Sequence, residues 1–259
     1  MFIDLHCHLD HYLFQDDLPK AIAAAKLSGV KRIVVSGISP SSNRFALLLA
    51  KQYMSTVRAS IGLYPIDALQ KELECVPHNS GVVEISVEKE LEFIKENRKR
   101  IIAMGEIGLD YKTGDRKEEQ KHLFRQQLDL AKKIKKPVII HSRKAEADVL
   151  DILGEYRLKT VLHCFSGDKK LVKKAAERGY YFTIPTHVVR SQQFQDIAKN
   201  IPLSQLFCET DSPYLSPYPQ RRNEPAFVIE SYRKIAELKG MDVNEVAKAI
   251  FMNWQRVFE

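Results

Sequence analysis

Eight short apolar runs rich in β-branched residues recur along the whole sequence, and they constrain the fold more than any other feature. They are Phe2–Leu5, Arg32–Ser36, Val57–Gly62, Ile101–Glu106, Val138–His141, Thr160–His163, Tyr180–Ile184 and Leu206–Glu209. They are too short for core helices and lack the polar alternation of a half-solvated strand, as strands buried on both faces do. Longer amphipathic segments lie between them. "DLPKAIAAAKLSG" follows the first run and ends on Gly29, a helix C-cap signal. Two more helices are expected near residues 224–239 and 242–258. Eight βα units in series predict an α/β fold, a (β/α)8 TIM barrel, with a doubly wound open sheet as the alternative. Nothing in the sequence resembles a linker, so residues 1–259 are expected to form one barrel domain. The longest irregular stretch, roughly 64–86, is long enough to suggest a functional loop.

The polar residues that end these apolar runs carry the chemistry. His6 and His8 close the first run, Glu106 the fourth, His141 the fifth and His163 the sixth; Asp211 follows the eighth. Side chains alternate along a strand, so His6 and His8 share one side and Cys7 faces the other. Active sites of such barrels form where strand C-termini converge, so six groups from five strands are expected at one mouth. Each alone has a plain structural reading: a core histidine, a helix cap, a loop carboxylate. Together they would be costly to bury unless something satisfied them, and a metal ion does. Imidazoles with carboxylates suit Zn2+, Mn2+, Co2+ or Ni2+; Mg2+ would bind more weakly, with water completing its shell. Six ligands are too many for one tetrahedral ion with an open position and suit two ions sharing a carboxylate.

The net charge of +7 suits a polyanionic partner such as nucleic acid, although Lys-rich helices such as "KENRKR" also read as solvated faces. The four cysteines include no CxxC pair and are expected to be free thiols, mostly buried. No apolar run approaches a membrane span, and the first ten residues, with two aspartates and two histidines, do not resemble a signal peptide. A cytoplasmic location is the expectation.

The motifs "DLHCHLD", "GEIGLDY", "IHSRKA", "HCFSG", "ETDSPYL" and "RRNEP", in this order, resemble those of the TatD family, metal-dependent deoxyribonucleases of the amidohydrolase superfamily. The likeness runs from residue 4 to "NWQRVF" at the end of the chain. It implies a distorted TIM barrel with two divalent metal ions. His6, His8 and Asp211 would hold one ion, His141 and His163 the other, and Glu106 would bridge them. One departure stands out: the family's third strand commonly ends in Gly-x-His-Pro, and this chain has "GLYP", with Tyr64 at the histidine position. "TIPTHVV" after the seventh run is also atypical, and its His187 is either a further polar group at the mouth or a loop residue.

The resemblance implies hydrolysis of DNA, from a 3′ end and on single strands. Asp211 would take the proton of the attacking water, and Glu106 would act with it. Arg143, Arg222, Asn223 and Tyr64 are the candidate substrate contacts. Surface ion pairs are the alternative for the arginines, and loop ordering the alternative for Asn223 and Glu224. Asp110 and Asp10 would either accept the outer N–H of a metal-binding histidine or serve the fold. Two rival functions remain open on sequence. One is a metal-dependent esterase, deacylase or amidohydrolase acting on D-aminoacyl-tRNA or a small ester or amide. The other is a non-catalytic binding module.

Overall fold

The computed structural model describes residues 1–66, 76–78, 81–83 and 86–259, with only the backbone described for 76–78 and 81–83. Each apolar run forms a strand. They are β1 (Phe2–Cys7), β2 (Val30–Ser36), β3 (Val57–Ile61), β6 (Ile101–Asp110), β7 (Val138–Arg143), β8 (Thr160–Leu162), β9 (Tyr181–Pro185) and β10 (Leu206–Glu209). They make one sheet in the order β1-β2-β3-β6-β7-β8-β9-β10. Every pairing in it is parallel. A short antiparallel hairpin, β4 (Val76–His78) with β5 (Gly81–Val83), lies inside the stretch expected to be irregular. Cys75 lies outside the described residues.

Helices follow the strands as helix signals dictate. Ser39 and Ser42 form a reciprocal capping box at α2 (Pro40–Gln52), and Asp242 forms one with Glu245 at α9 (Val243–Phe258). The remaining helices are α1 (Leu18–Leu27), α3 (Val87–Glu96), α4 (Lys117–Ile134), α5 (Glu146–Leu153), α6 (Lys169–Glu177), α7 (Gln192–Asn200) and α8 (Ile229–Lys239). Asp17 sits at the N-cap of α1 without capping it, because its carboxylate is taken by Arg222. No helix among the described residues is long and apolar enough to cross a membrane.

The sheet closes into a barrel, and the seam between β1 and β10 is where the closure is unusual. Unpaired strand edges must find partners. At its lower end, both backbone groups of Ile3 pair with the Tyr232 hydroxyl, at 2.9 and 3.1 Å. The Leu206 carbonyl accepts from Asn253. In the middle, the buried Asp4 carboxylate accepts from the Thr210 N–H and hydroxyl, at 2.8 and 2.7 Å. Only at the top do the two sides of the seam pair through backbone: Asp211 N donates to His6 O at 2.9 Å and His8 N to Ser212 O at 2.8 Å. Removing the Asp4 carboxylate would leave buried donors unsatisfied, at about 1–3 kcal/mol. The seam therefore ends on the backbone of three of the six residues expected at the mouth.

Candidate active site

Local irregularities in the strands aim the site residues. The β1–β2 register shifts between Asp4 and Cys7, beside His6, and the β6–β7 register shifts between Met104 and Ile107, beside Glu106. Bulges of this kind redirect side chains near active sites. Gly108 lets β6 approach β7 at His141: a Cβ there would lie 2.0 Å from the His141 carbonyl oxygen. Asp211 and Cys164, the residue after His163, both adopt left-handed backbone (φ 54° and 43°), a conformation costing on the order of 1 kcal/mol or more and concentrated at functional sites.

The structure brings all six expected groups together. His6 Nε2 and His8 Nε2 are 3.1 Å apart. Glu106 Oε2 lies 3.2 and 3.4 Å from these two nitrogens, and Asp211 Oδ1 lies 3.7 and 3.5 Å from them. Glu106 Oε1 turns the other way, 2.7 Å from His141 Nδ1 and 3.9 Å from His163 Nε2. One carboxylate thus faces both histidine pairs. The His6 and His163 rings stack at 3.8 Å.

The outer ring nitrogens are fixed. His8 Nδ1 lies 3.2 Å from the Ser36 carbonyl, which can only accept, so that nitrogen carries the hydrogen. His6 Nδ1 is 3.1 Å from the Ser36 hydroxyl. His163 Nδ1 pairs with Glu209 at 2.8 Å, and His141 Nε2 with Asp110 at 3.3 Å. Tyr64 donates to the same Asp110 oxygen at 2.5 Å and lies 3.1 Å from His141 Nε2. Histidines that hold metals typically pass their other N–H to such partners.

Electrostatics explain why this arrangement calls for cations. Burial alone would push Glu106 and Asp211 up. The neighbouring imidazoles outweigh it, so Glu106 lies well below the usual carboxylate range and Asp211 below it. Burial lowers His8, but its bond to Asp211 and the charges of Glu106 and Asp211 carry it up to about 9. Burial likewise opposes His163, which Glu209 first, then Asp211 and Glu106, raise to about 10. His6 is lowered by burial and by His163. Burial opposes His141 too, but its bonds to Asp110 and Glu106 raise it. The carboxylates keep their charge, and protons or metal ions must balance it. Inward-facing imidazole nitrogens with ionised oxygens are the donor set of a borderline divalent cation, so the residues present fit a metal centre. The combinations His6–His8–Glu106 and Glu106–His141–His163 each bring their ligand atoms within 4.8 Å of one another.

The cluster floors a cleft of about 690 Å3 that also takes in Tyr64, Arg143, His187 and Tyr214. The remaining candidates sit differently. Asn223 is fully buried, and its amide nitrogen donates to Thr186 Oγ1 and the carbonyls of Thr210 and Tyr214. Arg222 forks onto Asp17 at 2.8 and 2.9 Å and covers the Phe14 ring. Neither lines the cleft, because both are engaged in holding loops together. Glu224 pairs with both Arg221 and Arg222. One oxygen of Asp10 is buried without a partner. Cys7 and Cys208 are buried free thiols, and Cys164 is half-buried at the cleft. Sequence reasoning missed Glu209 and Ser36 as partners of the histidines. Glu209 carried the same signal as the others, a charged residue ending an apolar run; Ser36 carried none.

The profile of the family described as TatD related DNase matches residues 3–259. The human protein named Deoxyribonuclease TATDN3 is 33% identical over 262 residues, covering 99% of this chain and 94% of that protein. The Bacillus subtilis protein named uncharacterized metal-dependent hydrolase YabD is 34% identical over 268 residues, covering 100% and 99%. The crystal structure of YjjV, a TatD homolog from Escherichia coli K12, superposes with a TM-score of 0.86 at 28% identity, over 99% of this chain and 97% of that one. Because the likeness runs end to end in sequence as well as in fold, the chain belongs to the TatD-related DNase family and is a metal-dependent hydrolase of ester bonds.

Proposed function

We propose that the protein is a deoxyribonuclease that removes nucleotides from the 3′ end of single-stranded DNA, using two divalent cations that share Glu106. The observation that carries this reading is the position of the Glu106 carboxylate, with one oxygen toward His6 and His8 and the other toward His141 and His163. His6, His8 and Asp211 would hold one cation and His141 and His163 the other. Bound there, divalent ions supply Lewis acidity toward a phosphodiester oxygen and lower the pKa of water.

The chain's own residues do the rest. Asp211, kept ionised at the cleft floor, accepts the proton of the attacking water. Asp110 and Glu209 hold His141 and His163 with one ring nitrogen turned inward. Arg143, exposed at the cleft edge, offers a fork of N–H donors to a phosphate. Tyr64 holds Asp110 rather than substrate: its phenol is raised by burial, by the Asp110 bond and by the Glu106 charge, so it stays neutral and donating. The buried carboxylates would repel a phosphate backbone unless cations offset them, which makes activity strictly metal-dependent.

A time course with 5′-labelled single-stranded DNA tests this. The protein is stripped of metal and resupplied with Mg2+, Mn2+ or Zn2+ separately, beside an Asp211→Asn variant. A metal-dependent ladder shortening from the 3′ end, absent in the variant, is expected. Metal bound but no cleavage with any ion would overturn the reading in favour of an acyl-ester or amide substrate.

A further inference from the structure

The cleft mouth carries ordered aromatic surface that the metal cluster does not account for. After β1 the chain makes a single 3-10 turn, Tyr12–Phe14, capped by His11, whose Nδ1 accepts from Leu13 N at 3.2 Å. The turn buries Phe14 completely and leaves Tyr12 73% exposed. The Tyr12 ring lies against His11 with centroids 4.4 Å apart, and His11 meets the Tyr214 ring edge-on at 5.6 Å. Tyr214 is 53% exposed, lines the cleft and lies 6.5 Å from the His8 ring. Single exposed aromatics are ordinary. Here three rings run in contact from the cluster to the rim.

Two adjacent residues fasten this run in place. Arg222 covers the Phe14 ring at 4.1 Å, donates to the Leu13 carbonyl and forks onto Asp17, so it holds the turn that presents Tyr12. Asn223 donates to the Tyr214 carbonyl at 2.7 Å, so it holds the loop that presents Tyr214. Side chains fixed before binding lose little freedom on binding.

We propose that His11, Tyr12 and Tyr214 form a stacking site for unpaired nucleobases, which seats a single strand beside the cluster. The inference rests on the nucleic-acid reading above and adds how the strand is gripped. Every base has a π-face, so stacking on aromatic side chains tolerates any sequence, at about tenfold in affinity per base. A duplex keeps its base faces covered except at its ends, so the site selects unpaired nucleotides. It also gives "RRNEP" a role: Arg222 and Asn223 are positioning residues for the aromatic loops.

The test compares binding of two fluorescent phosphorothioate strands of equal length and charge to the metal-loaded protein, one of thymidine and one base-free. The stacking site predicts about tenfold or more in favour of the base-bearing strand. The ratio falls toward one in the Tyr12→Leu/Tyr214→Leu double variant and is retained in Tyr12→Trp. Trp254 is the sole tryptophan and is buried, so Tyr12→Trp also provides an exposed reporter that the thymidine strand should quench. Equal binding of the two strands by the wild type, or an unchanged ratio in the double leucine variant, overturns the stacking site. The DNase reading fails separately, by absence of cleavage in the metal time course.

Discussion

Each half of the candidate metal centre is built on a pair of histidines, and the two pairs are held by different means. His6 and His8 lean on Ser36, one through its hydroxyl and one through its carbonyl, and Asp211 is tied to His6 by backbone across the barrel seam. His141 and His163 lean on carboxylates, Asp110 and Glu209, and Tyr64 fastens Asp110. The first half is therefore set by how the barrel closes. The second is set by charge, because a carboxylate behind an imidazole raises its basicity and its hold on a cation. Hydroxyl and carbonyl partners give geometry; carboxylate partners give geometry and electron density.

Glu106 belongs to both halves, so its loss should erase the difference between them. Glu106→Gln is expected to lower kcat/KM by about a thousandfold or more, consistent with the loss of a central electrostatic group. Steady-state cleavage alongside metal analysis checks it, and a variant that keeps both ions and its rate would remove Glu106 from its bridging place. Glu209→Gln should weaken only the second half, by about 10- to 100-fold in metal affinity. Ser36→Ala leaves the carbonyl that holds His8 and should weaken only the first, by less. Metal titrations of the wild type are expected to resolve two classes of site, and titrations of the variants to show which class moves.

Proton release sharpens the same contrast. Without metal, His8 stands at about 9 and His163 at about 10, so each carries a proton at pH 7 that a cation must displace. Metal affinity should rise about tenfold per pH unit for each proton displaced. Calorimetry in buffers of different ionisation enthalpy counts the protons. The folding stability of the metal-free chain moves the opposite way. Both pKa values are raised above the unfolded value near 6.5, so their stabilisation is complete below about pH 6.5 and is lost as pH rises through 9 and 10. The smallest effect belongs to Tyr64→Phe. It removes one hydrogen bond to Asp110 and should cost only about twofold in affinity for the second ion, with the first unchanged.

What was legible in the sequence was local. The strands fall where the apolar runs lie, and the residues that converge are those that end an apolar run with a charge or an imidazole. What was not legible depends on contacts across the chain. The Arg222–Asp17 pair joins residues 205 positions apart, and the Asp4–Thr210 seam joins residues 206 apart. Neither spacing has a sequence signal, so "RRNEP" reads equally as a phosphate contact or as an ion pair with loop-ordering neighbours until the fold shows Arg222 committed to Asp17 and Phe14. Glu209 differs in that it does end an apolar run, but its partner His163 lies 46 positions away and only the fold brings the two together.

The most direct test of the central claim is the number of metal ions per chain, measured by elemental analysis after equilibrium dialysis against Mn2+ or Zn2+, for the wild type and Glu106→Gln. A centre shared through Glu106 predicts two ions in the wild type and loss of both, or near-complete weakening of both, in the variant. One ion in the wild type, or two in each protein, would contradict it.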